Sequence, residues 1–452
     1  MKKIAISKLP YQITLISLFL PLIASLLWIE FHRIILLITI GMFSIYFMQS
    51  NKKMIFSKTI FFYIIFLFFL IVYDQIFSRG LFYFSYSHII IYVFIFYHCF
   101  LFDEKINFGT VIIRQISFIY LLIITFMVLE LFFHLTGNAH ILIETFSEGP
   151  YESTIHFYVE YHNRFSELVG LNIGALNSMI LGNQIASQLM ICAMIWFFPL
   201  YNIPGSSSVA KKSPLWFFLA FLLFIISPTM TANVIFIISI FILIFILPIS
   251  KINNIKSKII FTLFLSLVTI MGLKYLFPIF YDGSIKVINN LNQETTTLGY
   301  YIYGFSYPFF VFIEMPFWDQ IFGRVNHGWA EFGYIKLLIG NGALWVFSLT
   351  FAIISIVYSA FKLLKNNMSS FITLSEKKWI WIAQVNAFIC IIYFLSLIHY
   401  ITIFRLGVLQ LFSFHIAITM YAIKKYKIFQ KLKFKKLSLQ QDYLVTQSFI
   451  KS

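Results

Sequence analysis

Apolar stretches of about 20 residues, parted by short polar breaks, follow one another along nearly the whole chain. That is the length a helix needs to cross the hydrocarbon layer of a membrane. Only 11% of the residues are charged, against about 25% in soluble domains. No aqueous core can absorb this much apolar surface, so lipid must be the solvent. A closed β-barrel, the other structure that satisfies its backbone within a bilayer, would show short alternating segments, and these are absent. The sequence therefore predicts an all-α polytopic membrane protein with about twelve transmembrane helices.

The spans fall at 10–29, 34–49, 59–76, 82–102, 111–136, 178–202, 214–229, 232–249, 259–278, 330–360, 379–398 and 400–423, with the pair around Pro228 also readable as a helical hairpin. The first is not followed by a small-residue cleavage site and reads as a retained helix. The sixth contains Asn183 and Gln184 and is expected to line an interior. Cys99, Cys192 and Cys390 lie inside apolar segments without metal-ligand spacing, so they read as packing residues. No metal or cofactor is expected.

Positive charge orients the chain. With the N-terminus inside, most of the 33 basic residues fall on the cytoplasmic side, including Lys2, Lys3, Lys8, Lys211, Lys212, Lys377 and Lys378. The tail 424–452 is the most basic segment and reads as a solvated stretch at anionic lipid headgroups, not as a nucleic-acid patch. Both termini are expected in the cytoplasm of a multi-pass bacterial inner-membrane protein. Two polar segments, 137–177 and 281–329, are too long to be connectors and are expected outside, as large periplasmic loops on one integral membrane domain spanning 1–452.

Arginine is distributed differently. Arg33, Arg79, Arg114, Arg164, Arg324 and Arg405 all avoid the segments assigned to the cytoplasm, although Arg114 is near that boundary. Lysine suffices for orientation, whereas arginine offers a rigid fork that grips phosphate through paired hydrogen bonds. The outer loops themselves are acidic, with Glu144, Glu148, Glu152, Glu160 and Glu167 in the first and Asp282, Glu294, Glu314 and Asp319 in the second. A phosphate ligand there needs particular arginines. The alternative is that each arginine pairs with a nearby carboxylate. Arg405 sits inside the last span, where a charge is either paired or functional.

Within the first loop, Glu152, His156, Glu160 and Arg164 recur every four residues, forming one polar stripe on a predicted helix. It is either a solvated face with a salt bridge or one wall of a substrate cavity, with His162 and Asn163 beside Arg164. The second loop ends in Arg324, His327 and Glu331, spaced three and four apart so that a helical turn puts them on one face. Cation, imidazole and carboxylate together can bind a phosphate, accept a proton and orient the base. An ordinary helix start with a pairing Arg and Glu is the alternative. Ahead of them, Ile313 to Phe322 mixes aromatics and charges like a segment lying in the membrane interface.

These features resemble the Wzy/O-antigen ligase superfamily of bacterial surface-polysaccharide enzymes. The resemblance covers the twelve-span plan with its two outer loops. It includes Arg164 ahead of Gly170-Leu-Asn-Ile-Gly174, and His327, Glu331-Phe-Gly333 and Gly340-Asn-Gly342 at the end of the second loop. One pattern departs: many members carry a Ser-Arg pair where this chain has Ser227-Pro-Thr-Met-Thr231. The resemblance implies a GT-C-like membrane fold and glycosyl transfer from an undecaprenyl-diphosphate-linked oligosaccharide at the periplasmic face. The product would be O-antigen or capsular polysaccharide. It further implies Arg164, Arg324, Arg405 and Arg79 as diphosphate ligands, and His327, Glu331, Glu160 and His162 as catalytic residues. Membrane lipids and a chain-length regulator protein are the implied partners. A ligase sharing the fold, and a lipid-linked oligosaccharide flippase, are the competing readings. A flippase would have short loops throughout and charges along a central cavity.

Overall fold

In the computed structural model, the described residues are 9–26, 32–50, 82–102, 108–138, 183–200, 212–226, 309–323, 333–365, 374–397 and 407–451, with isolated positions between 232 and 267. All regular structure among them is helical. In chain order the helices are α1 (Leu9–Leu26), α2 (His32–Ser50), α3 (Phe82–Phe102), α4 (Phe108–Leu135), α5 (Asn183–Leu200) and α6 (Ser213–Ile226). There follow α7 (Phe317–Phe322), α8 (Gly333–Asn341), α9 (Ala343–Lys365), α10 (Leu374–Ser396) and α11 (Val408–Lys451). By length and composition, parts of α4 (Ile112–Leu135), α9 (Ala343–Leu363) and α10 (Lys378–Ser396) are long and apolar enough to cross a membrane. Shorter apolar stretches occur in α1, α2, α3, α5 and α6. The expected span at 59–76, nearly all of 259–278 and of 137–177, and much of 281–329 lie outside the described residues.

The centre of the bundle is α10 packed against α11, with α11 also against α3, and α5 against α6 and α4. Large aromatics fill it: Tyr120, Trp196, Phe388, Tyr393 and Phe412 are buried. Phe96 and Phe100 of α3 both meet Phe414 of α11 edge to face, at 5.4 and 5.6 Å between ring centroids, the arrangement the ring quadrupoles favour. The helices differ sharply in position. The apolar span of α10 is 78% buried and that of α9 only 22%, so α10 is a central post and α9 a peripheral one. Positions 185–197 of α5 are buried all round, as expected for an interior span. Cys99, Cys192 and Cys390 are free and buried, the first in α3 and the others in α5 and α10.

Two features depart from the sequence expectation. The single span expected at 330–360 is two helices, α8 and α9, broken at Gly342. Gly342 has φ +82, and a Cβ there would collide with the carbonyl oxygen of Ile321 and the amide nitrogen of Gly323. Only glycine fits both the left-handed backbone and the close approach. The basic tail, in turn, continues the last helix. α11 is 44 residues long, about 66 Å at the α-helical rise, and runs to Lys451. At 427–432 it presents Lys427, Ile428, Phe429, Lys431 and Leu432 outward. Just before them, the Lys424 ammonium sits 5.7 Å from the centre of the Tyr97 ring. Burial, and then the neighbouring Lys425, hold its pKa below the usual lysine value.

Candidate functional site

Two places in the molecule concentrate polar chemistry or exposed apolar surface. The first is a hydrogen-bonded chain in the bundle interior. Asn386 of α10 donates its amide N–H to the carbonyl of Ile382 at 2.7 Å, which turns Oδ1 toward α11. There Oδ1 lies 2.7 Å from Nδ1 of His415. An amide oxygen only accepts, so Nδ1 carries the imidazole proton. Nε2 is then the acceptor, and the Tyr120 hydroxyl of α4 lies 3.0 Å from it. Tyr120, Asn386 and His415 are all fully buried. One side-chain chain thus ties three helices together, with each partner satisfied.

A second cross-link involves α4 again, three residues earlier. Trp196 of α5 donates its indole N–H to Ser117 of α4 at 2.9 Å and packs on Trp381 of α10 at 5.2 Å. Ser117 therefore stands near the level of Trp381, and Tyr120 near that of Asn386.

The second place is the outer rim of α7, α8 and α9. The C-terminus of α7 is wedged on the junction of α8 and α9. Gly323, φ +84, donates its N–H to Asp319 at 2.7 Å. A Cβ on it would strike the Gly340 carbonyl. Gly323 and Gly342 are thus in backbone contact. At its other end, α8 docks on α10: the Tyr334 N–H donates to the Leu397 carbonyl at 3.1 Å, and the Tyr334 ring meets Phe394 edge to face at 5.0 Å. Beside the wedge is an open groove of about 450 Å³ lined by Ile321, Ala343, Leu344, Phe347, Ser348 and Phe351. Phe317 and Trp318 of α7 face outward next to it, and Trp318 stacks on Phe322 at 6.0 Å.

The residues singled out from the sequence, Arg79, Glu160, His162, Arg164, Arg324, His327, Glu331 and Arg405, lie outside the described residues. Positions beside Arg324, Glu331 and Arg405 are described. Arg324 follows Gly323, held at the α8–α9 junction, and Glu331 precedes Gly333, the start of α8. These two anchors are separated by the length of α8, about 12 Å. Two residues beyond Arg405, Gly407 precedes α11 with φ +84, and its N–H donates to the Gln410 side-chain oxygen at 2.8 Å. That is half of a capping box.

The sequence reading passed over the Tyr120–His415–Asn386 chain. Its one legible sign is a histidine and an asparagine within apolar spans, where polar side chains face the bundle interior. Among the described residues, no three His, Cys, Asp or Glu side chains converge on a point where a metal ion could sit. No protein-family model, curated protein or solved structure matches the chain.

Proposed function

We propose that this chain is a polytopic inner-membrane glycosyltransferase. It joins undecaprenyl-diphosphate-linked oligosaccharide repeat units into a surface polysaccharide at the outer face of the membrane. About twelve spans and two large outer loops belong to this reading. The observation that carries it is the rim around Gly323: an apolar groove and an exposed aromatic helix lead, within a few residues, to an arginine. A polyprenyl diphosphate has the matching chemistry, a long apolar chain ending in a dense negative charge.

On this reading Arg324, with Arg164, grips the diphosphate and offsets the charge that develops as it leaves. Arg79 and Arg405 are further candidates for that role. The acceptor sugar's hydroxyl must lose a proton, and an imidazole held by a carboxylate is suited to take it. His327 with Glu331, and His162 with Glu160, are the pairs on the loops.

The direct test is the surface glycan of a strain lacking the protein. Single-repeat caps in place of a ladder of chain lengths are expected, and an unchanged ladder contradicts the reading. A finer test is Arg324→Lys, which keeps the charge and loses the fork. It should lose most polymer at equal expression. Wild-type polymer from Arg324→Lys removes the paired-hydrogen-bond role.

A further inference from the structure

One end of the bundle gathers cations at the edge of an apolar span. Trp379, near the start of α10, meets Tyr421 of α11 edge to face at 5.5 Å, and Tyr393, nearer the end of α10, meets Phe412 at 5.8 Å. The two helices are therefore antiparallel. Phe100, two residues from the end of α3, also reaches Tyr421, at 5.7 Å. The start of α10, the end of α3 and residues 421–425 of α11 thus share one level. The apolar span of α10 begins there, at Lys378. The length of α11 agrees: Lys424 is about 24 Å and Lys427 about 29 Å along it from Val408, against a hydrocarbon layer of about 30 Å.

Two ammonium groups are held at this level. Lys424 Nζ lies 5.7 Å from the centre of the Tyr97 ring, and Lys425 Nζ 5.5 Å from that of Tyr421. Lys427 and Lys431, further along, are exposed. Lys424, Lys427 and Lys431 are spaced three and four apart, so they form one stripe along about 10 Å of helix. That is comparable with the depth of one headgroup layer. Beside the stripe stand Ile428 and Leu432, with Phe429 next to them, at 40%, 59% and 37% exposure. Residues 424–436 contain seven lysines and no carboxylate. Nearby, Glu376 is matched by Lys377, and Asp103, Glu104 and Lys105, next after α3, leave one negative charge. The end is positive on balance.

We infer that this face of α11, Lys424, Lys427 and Lys431 with Ile428, Phe429 and Leu432, is a docking site for anionic phospholipid of the adjoining leaflet. The lipid phosphates meet the ammonium groups, and the first acyl carbons cover the three apolar side chains. A soluble polyanion would satisfy the lysines but leave those side chains in water. A second copy would bring the same positive charge against itself. An anionic lipid alone matches both halves, and it fixes the depth of α11, a central helix of the bundle. The inference rests on the membrane reading above and does not need glycosyl transfer.

Insertion of the full chain into phosphatidylcholine vesicles, resistant to carbonate extraction, is checked first. Failure there contradicts the membrane reading itself, whereas the next measurement bears on this inference alone. The purified full chain in detergent is titrated with phosphatidylglycerol and, separately, with phosphatidylcholine, and bound lipid is counted by native mass spectrometry. The wild-type protein should prefer phosphatidylglycerol. A lysine near an anionic surface is worth about fivefold in affinity. Lys427→Gln with Lys431→Gln should therefore cut the preference about 25-fold, and adding Lys424→Gln about 100-fold. Lys427 and Lys431 are exposed, so the double variant carries the test if the triple is not recovered folded. Lys427→Arg with Lys431→Arg should keep the preference. So should Lys336→Gln, because α8 docks at the other end of α10. Phe429→Ser with Leu432→Ser should weaken both lipids alike. Equal binding of the two lipids by the wild-type protein overturns the inference, as does a preference that survives Lys427→Gln with Lys431→Gln. Self-association of the wild-type chain that is lost in Phe429→Ser with Leu432→Ser also overturns it, and gives the face to a second copy.

Discussion

Asn386 and Phe351 belong to neighbouring helices, α10 and α9, and meet opposite surroundings. Asn386 is wholly buried and has both ends of its amide satisfied. Phe351 is 71% exposed and lines an open groove. In water this would be an odd arrangement, with the polar group inside and the ring outside. In a bilayer it is the expected one. Lipid tails are as apolar as leucine, so an outward phenylalanine loses nothing. A polar side chain has no water to turn to, so it must find its partner within the bundle. The interior is held by directional bonds between helices, and the rim by backbone fit between glycines.

The contrast can be broken most severely at the glycines. Gly342→Ala puts a Cβ into a left-handed backbone, at about 1–2 kcal/mol for the conformation alone, and also into the Ile321 carbonyl. A loss of more than about 2 kcal/mol is expected, read as a fall in the thermal midpoint of the purified protein. An unchanged midpoint would mean that α7 is not wedged on the α8–α9 junction.

The interior should respond next. His415→Leu removes the partner of the Asn386 side-chain oxygen and one partner of the Tyr120 hydroxyl. A buried unsatisfied group costs about 1–3 kcal/mol. A double-mutant cycle between His415→Leu and Asn386→Leu isolates the bond itself. Its coupling should lie near about 0.6 kcal/mol and not exceed about 1.7 kcal/mol, the average and the upper end for polar pairs between membrane helices. A coupling of zero would leave the chain of three as neighbours without mutual support.

The side chains lining the groove should give the smallest change in stability. Phe347→Ala with Phe351→Ala is expected to change stability by less than about 0.5 kcal/mol. It should nonetheless weaken binding of undecaprenyl diphosphate, and the loss should shrink when a short isoprenoid replaces the long one. Equal weakening for short and long chains would detach the groove from the lipid.

Much of the helical plan was legible in the sequence because it depends on local composition. The expected span at 82–102 is α3 with the same limits, since an apolar run between polar breaks decides it alone. The break at Gly342 was not legible. The apolar pattern continues on both sides, and the clash that demands glycine comes from Ile321 and Gly323, on another helix and at its end. The interior chain was harder still, because Tyr120 and His415 are 295 residues apart, and no periodicity within one helix can announce a partner at that separation. The arginines and histidines of the outer loops rest on residue type and spacing.

The central claim is glycosyl transfer at the outer rim, and one measurement bears on it most directly. The purified protein, in nanodiscs with lipid-linked repeat units and no other enzyme, should yield a ladder of lipid-linked chains. Free undecaprenyl diphosphate should be released in step with each added unit. Repeat units that stay single, with no undecaprenyl diphosphate released, would contradict the account.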